Sequence, residues 1–155
     1  MHISDGILTE TFNGTIVLGV TTTLAAAGTY IALKKMDYEK VPQAAMLSAA
    51  FFVASLVHFK IGVTSVHLVL NGLLGIILGW AAFPSFLIAL FLQAIFFGHG
   101  GITVIGLNAF NFGISSLLCY YLFNRALNKT KKKNISFFLG FLAGSISLAM
   151  AALLV

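Results

Sequence analysis

The sequence predicts an all-α membrane protein, a compact bundle of about six transmembrane helices with an inserted amino-terminal loop. Three observations carry this. Of 155 residues, 59% are hydrophobic and only 8% are charged, where soluble domains carry roughly 25% charged residues. The mean hydropathy is +1.02, and no soluble chain of this length can hide that much apolar surface. The apolar residues also fall into six runs, close to what the length allows at ~20 residues per span. Residues 1–155 read as one domain.

The first run, residues 12–33, ends at the charged stretch 34–40. Pro42 then suits the first turn of the second run, 43–57, because a proline there sacrifices no helical hydrogen bond. His58 and Lys60 close that run, and residues 61–66 carry glycine and β-branched side chains with no helical signal. The third run spans residues 67–83 and the fourth 84–97, with Pro84 read as the turn between them. Gly98-His99-Gly100-Gly101 breaks the chain again. The fifth run is 102–123, residues 124–134 form a basic loop, and the sixth run is 135–155. Gly19, Thr23 and Ala27 recur every four residues, a spacing that permits close helix approach. Packing within the bundle is the simpler reading of them.

Charge orients the bundle. Lys34, Lys35 and Lys40 follow the first run, and Arg125, Lys129, Lys131, Lys132 and Lys133 follow the fifth; these are eight of the nine basic residues. Six alternating helices put both clusters on one side, and the positive-inside rule makes that side cytoplasmic. The amino terminus then lies outside a plasma membrane, as do all four histidines. A net charge of +5 confined to two loops is no nucleic-acid signature. The single Cys119 excludes an internal disulfide.

The start, Met1-His2-Ile3-Ser4-Asp5-Gly6, lacks the basic residues and cleavage pattern of a secretory signal, so Met1 is expected to be kept. The Met1 amine, the His2 amide nitrogen and the His2 imidazole lie within one or two chelate rings. Such a planar nitrogen set suits Ni(II) or Cu(II). A histidine at position 2 is, on its own, more often an accident of an exposed terminus. His58 reads better as an interfacial cap than as a ligand. For His67 a ligand and a polar helix-start residue weigh equally. His99, between glycines, leans toward a pocket. Asp5 either orients His2, as carboxylates fix imidazole tautomers, or supports the turn at Gly6. Asn71, four residues after His67, would share a helical face with it. Asn108 and Asn111 should face the bundle interior, since amides are costly in lipid; interhelix contact is their default role and lining a site the sharper one.

Other chemistry is excluded. There is no Gly-x-x-x-x-Gly-Lys-Ser/Thr loop, so ATP is not bound by that route. There is no His-Glu-x-x-His and no triad, and an enzyme is not expected. The only acids are Asp5, Glu10, Asp37 and Glu39, none at mid-membrane, so the acidic relay of a proton-driven carrier is missing.

Three motifs carry a resemblance. Residues 1–8 (Met1 to Leu8) resemble the amino-terminal signature of the CbiM/NikM family, the substrate-binding membrane subunits of cobalt and nickel energy-coupling-factor transporters. Residues 64–75, containing His67, Asn71 and Gly75, resemble its second motif. Residues 91–103, with Gln93 and His99, resemble its third, which Gly106-Leu107-Asn108 continues. The likeness covers most of the chain in order. It implies a metal held by the Met1 amine, the His2 amide and imidazole, and His67, with the first residues folded back into the bundle from outside. It implies a nickel or cobalt ion as transported substrate, and as partners a transmembrane coupling subunit and cytoplasmic ATPase subunits. Many family members carry a further carboxyl-terminal helix; this chain stops after its sixth run. The expectation is a substrate-binding transmembrane domain that captures the ion outside for ATP-driven uptake. A standalone metal permease or channel and a membrane metal sensor or accessory protein are the alternatives.

Overall fold

The computed structural model describes residues 12–56, 58–61, 64–67, 70–98, 101–130 and 133–153. Its elements are α1 (Phe12–Lys35), α2 (Val41–Leu56), a ribbon of β1 (His58–Ile61) and β2 (Thr64–His67), α3 (Asn71–Leu78), α4 (Ala82–Phe97), α5 (Ile105–Lys129) and α6 (Lys133–Leu153). Short 3-10 turns at Tyr38–Lys40 and Gly79–Ala81 precede α2 and α4. Among the described residues the regular structure is helical apart from the ribbon of two four-residue strands.

Among the described residues four stretches are long and apolar enough to cross a membrane: Asn13–Lys35, Asn71–Phe97, Ile105–Leu127 and Lys133–Leu153. Six α-helices form among the described residues, and the expected count of six full spans is not confirmed. α2 has 16 residues, which at 1.5 Å per residue falls short of a ~30 Å hydrocarbon core. Within Asn71–Phe97 the chain reverses. α3 runs alongside α5 in the same sense, with Gly75 against Ser116 and Gly79 against Tyr120. α4 runs back, with Phe83 against Gly113 and the Phe86 ring on Phe112.

The reversal is at Gly79, not at Pro84. Gly79 sits at φ +55° and its N–H donates to the Gly75 carbonyl, a conformation that costs other residues steric strain. Pro84 is the third residue of α4, where no intrahelical N–H is needed. Two other boundaries move. α5 continues to Lys129, so most of the expected basic loop is helical. His67 closes a strand and does not open a helix, because Thr64 and Val66 favour extended backbone and α3 begins at Asn71. The shared helical face of His67 and Asn71 is thereby overturned. So is the packing role of Gly19, Thr23 and Ala27. All three are exposed, and α1 packs inward through Ala25, Gly28 and Ala32 instead.

The core lies where α2, α4 and α5 meet. Phe51, Phe86 and Phe112, each at most 1% exposed, pack with ring centroids 5.0 to 6.0 Å apart. Lipid gives helices no hydrophobic reason to associate, so close packing and interhelical hydrogen bonds must hold them. Here Trp80 Nε1 donates to the Tyr121 hydroxyl (3.1 Å) and the Lys35 ammonium lies 5.0 Å from the Trp80 ring centroid. These contacts gather the ends of α1 and α5 and the Gly79–Ala81 turn at one end of the bundle, bringing the two basic regions together.

Candidate metal centre

The end of the bundle away from these basic residues is built around a helix that starts inside the protein. The Ser116 hydroxyl donates to the Asn71 carbonyl (2.8 Å), and Ser116 is near the midpoint of α5. α3, only eight residues long, thus begins level with the middle of α5. The chain reaches that depth from the ribbon, whose antiparallel register sets His58 opposite His67. His67 is four residues before Asn71.

Asn71 is 1% exposed, and neither its side-chain oxygen nor its nitrogen has a partner among the described residues. A buried amide without partners costs about 1–3 kcal/mol at each unsatisfied group, so its retention at a helix start in lipid calls for a partner beyond the described residues. Asn111, 3% exposed, donates its amide to the Ala151 carbonyl of α6 (3.0 Å), the interhelix contact expected of it, while its side-chain oxygen has no partner among the described residues. Asn108 is 1% exposed and lies on the same helix. The structure therefore buries Asn71, Asn108 and Asn111 in the interior. It carries the His67 backbone in β2. Met1, His2, Asp5 and His99 lie outside the described residues. Among the described residues no three His, Cys, Asp or Glu side chains gather into a metal cluster.

One polar link lies outside the site residues expected from sequence. Gln93 is 2% exposed and donates to the Ser55 hydroxyl, tying α4 to α2. The signal was available: Gln93 is the sole amide in a helix whose other polar side chain is the small Ser85, and polar side chains at membrane depth mark either glue or a site.

Comparison with known proteins fits this architecture. Residues 2–155 match the family model CbiM, described as the cobalt uptake substrate-specific transmembrane region. The chain belongs to the CbiM family. It is 40% identical over 154 residues to a putative metal transport protein of Haemophilus influenzae, covering 99% of this chain and 72% of that protein. It is 35% identical over 120 residues to the fused nickel transport protein NikMN of Rhodobacter capsulatus, covering 74% of this chain and 33% of the fusion. The fold superposes with a TM-score of 0.82 on a crystal structure of a truncated transition metal transporter, at 29% identity, over 99% of this chain and 72% of that one. This CbiM-family protein is thus a multi-pass membrane component of cobalt/nickel transport, and its relatives are transport proteins, not enzymes.

Proposed function

We propose that this chain, acting as one substrate-binding domain, captures a nickel or cobalt ion at the outer face of the plasma membrane. It delivers the ion for ATP-driven uptake as the substrate-binding component of an energy-coupling-factor transporter. The Met1 amine, the His2 amide and imidazole, and His67 hold the ion, with Asp5, Asn71, His99, Asn108 and Asn111 around them. Asn71 carries this reading. A buried amide with neither atom paired, just beyond the strand that bears His67, supports a polar pocket completed by something other than the described chain.

The amino terminus and the ribbon are outside because the basic ends of α1 and α5 share the other side. The energy source is a transmembrane coupling subunit with cytoplasmic ATPases. α1 offers the coupling subunit a docking face: Gly19, Val20, Thr23 and Leu24 line an outward groove of about 250 Å³.

A titration series tests the chelate. Adding Gly-Ser before Met1 converts the amine to an amide, and metal binding should fall as far as it does in His2→Ala while the bundle still folds. Binding should also weaken from about pH 7.5 to about pH 5.5, because the amine and imidazole must be unprotonated to ligate and an ordinary imidazole titrates near 6.5. An extended protein that binds as tightly as the native one would remove Met1 from the site.

A further inference from the structure

The basic end of the bundle carries more than charge. Two cavities meet there on Tyr120. One, of about 150 Å³, is lined by Lys35, Asp37, Lys40 and Trp80 among others. The larger, of about 440 Å³, is lined by Tyr120, Tyr121, Asn124, Arg125 and Lys129. Among the described residues the charged groups that line the larger one are Arg125 and Lys129, so its field is positive. In the smaller, Asp37 offsets one of two lysines. The larger cavity therefore favours an anion more.

Its walls say which kind of anion. The guanidinium of Arg125 offers a planar fork suited to a phosphate, and Lys129 a mobile point charge. The Tyr121 hydroxyl and the Asn124 amide supply neutral polar groups beside them. One turn back along α5, Leu118 and Leu122 are exposed, and this apolar strip leads from the cavity along the face that meets lipid. Trp80 and Tyr121 join there through the indole N–H, the amphipathic pair expected at the level of lipid headgroups. A free phosphate would use the cavity and leave the strip idle. A phospholipid uses both.

We infer that the Tyr120–Tyr121–Asn124–Arg125–Lys129 cavity is a binding site for an anionic phospholipid, its phosphate held by Arg125 and Lys129 and an acyl chain lying along Leu118 and Leu122. The site is at the opposite end of the bundle from the proposed metal centre and does not depend on it.

Trp80, the only tryptophan, reports on the site. The purified full chain in mild detergent is titrated with phosphatidylglycerol carrying brominated acyl chains, with brominated phosphatidylcholine, and with inorganic phosphate competing against the first. Phosphatidylglycerol should quench Trp80 at much lower mole fraction than phosphatidylcholine. The pair Arg125→Gln and Lys129→Gln should weaken that binding by up to roughly 30-fold, about fivefold for each basic side chain near an anionic surface. Arg125→Lys, which keeps the charge and loses the fork, should fall between the parent and the double variant, and Lys34→Gln, whose exposed side chain lines neither cavity, should keep all. Unfolding temperatures of each variant, measured alongside, show that the bundle is intact. Equal quenching by the two lipids, or unchanged binding in the double variant, overturns the site. Displacement by inorganic phosphate at concentrations matching the lipid overturns the lipid and leaves a free-phosphate site in its place.

Discussion

Replacing Gly75 by alanine tests the packing that seats α3. An ideal Cβ at Gly75 would stand 2.7 Å from the Ser116 carbonyl carbon and 2.8 Å from its Cα. These are backbone atoms, so no rotamer change relieves the contact and α3 must withdraw from α5. Overpacking costs ~1–3 kcal/mol, and a backbone obstruction belongs at the upper end. Alanine regains about 1 kcal/mol of helix propensity over glycine. The net loss is then about 2 kcal/mol, and at ~2–4 °C per kcal/mol for a chain of this length the unfolding midpoint should drop by roughly 4–8 °C. Thermal unfolding in detergent, followed by Trp80 fluorescence, measures it. Gly140→Ala is the control, since its Cβ would meet nothing within 4 Å, and that variant should unfold no earlier than the parent. Retreat of α3 also strains the Ser116–Asn71 hydrogen bond, so metal affinity should fall in Gly75→Ala and hold in Gly140→Ala. If Gly75→Ala unfolds at or above the parent temperature, the close α3–α5 seat is wrong.

His67→Ala should leave the protein folded and reduce metal affinity by at least ~10-fold, the lower bound for losing even an outer partner of a ligand; calorimetric titration decides it, with His58→Ala expected to do little. Asn71→Leu separates two roles of a buried amide. With no side-chain partner among the described residues to lose, the variant should be as stable as the parent or more so, while metal affinity falls ~10-fold; lowered stability with intact metal binding would make Asn71 a structural group. For topology, a cysteine at Ile102, exposed beside the Gly101 turn, should react with an impermeant thiol reagent outside the cell in a Cys119→Ala background. One at Lys133 should not, and the reverse pattern would end the uptake reading.

What could be read without the fold, and what could not, divides along physical lines. Composition and charge were legible because both are sums: apolar runs gave the helical class, and the lysines around positions 34–40 and 125–133 gave a basic end that the Lys35–Trp80–Tyr121 contact then draws together. Breaks were harder. Pro84 looks like a turn in a string of letters, yet at the third position of a helix it forfeits nothing. Gly79 looks like one glycine among many until its φ is known. His67 and Asn71 share a spacing that fits a helix, and β-branched neighbours at Thr64 and Val66 outweigh it. The stripe at Gly19, Thr23 and Ala27 shows why small residues mislead. Their spacing announces a contact face but not whose contact it is, and here the bundle turns that face outward. The asparagines were legible as interior residues because lipid penalises them anywhere else. Which of them lacks a partner was not, since that depends on every neighbouring atom.

The three phenylalanines between α2, α4 and α5 bear on permeation. Rings from Phe51, Phe86 and Phe112, with centroids 5.0 to 6.0 Å apart, fill that space with hydrocarbon. A divalent ion gives up its hydration water only where oxygen or nitrogen replaces it, and aromatic carbon replaces none of it. Between these helices the resting bundle is an electrical insulator. No hydrated ion passes between these three helices while the rings stay packed, so any path for an ion there requires α2, α4 and α5 to part.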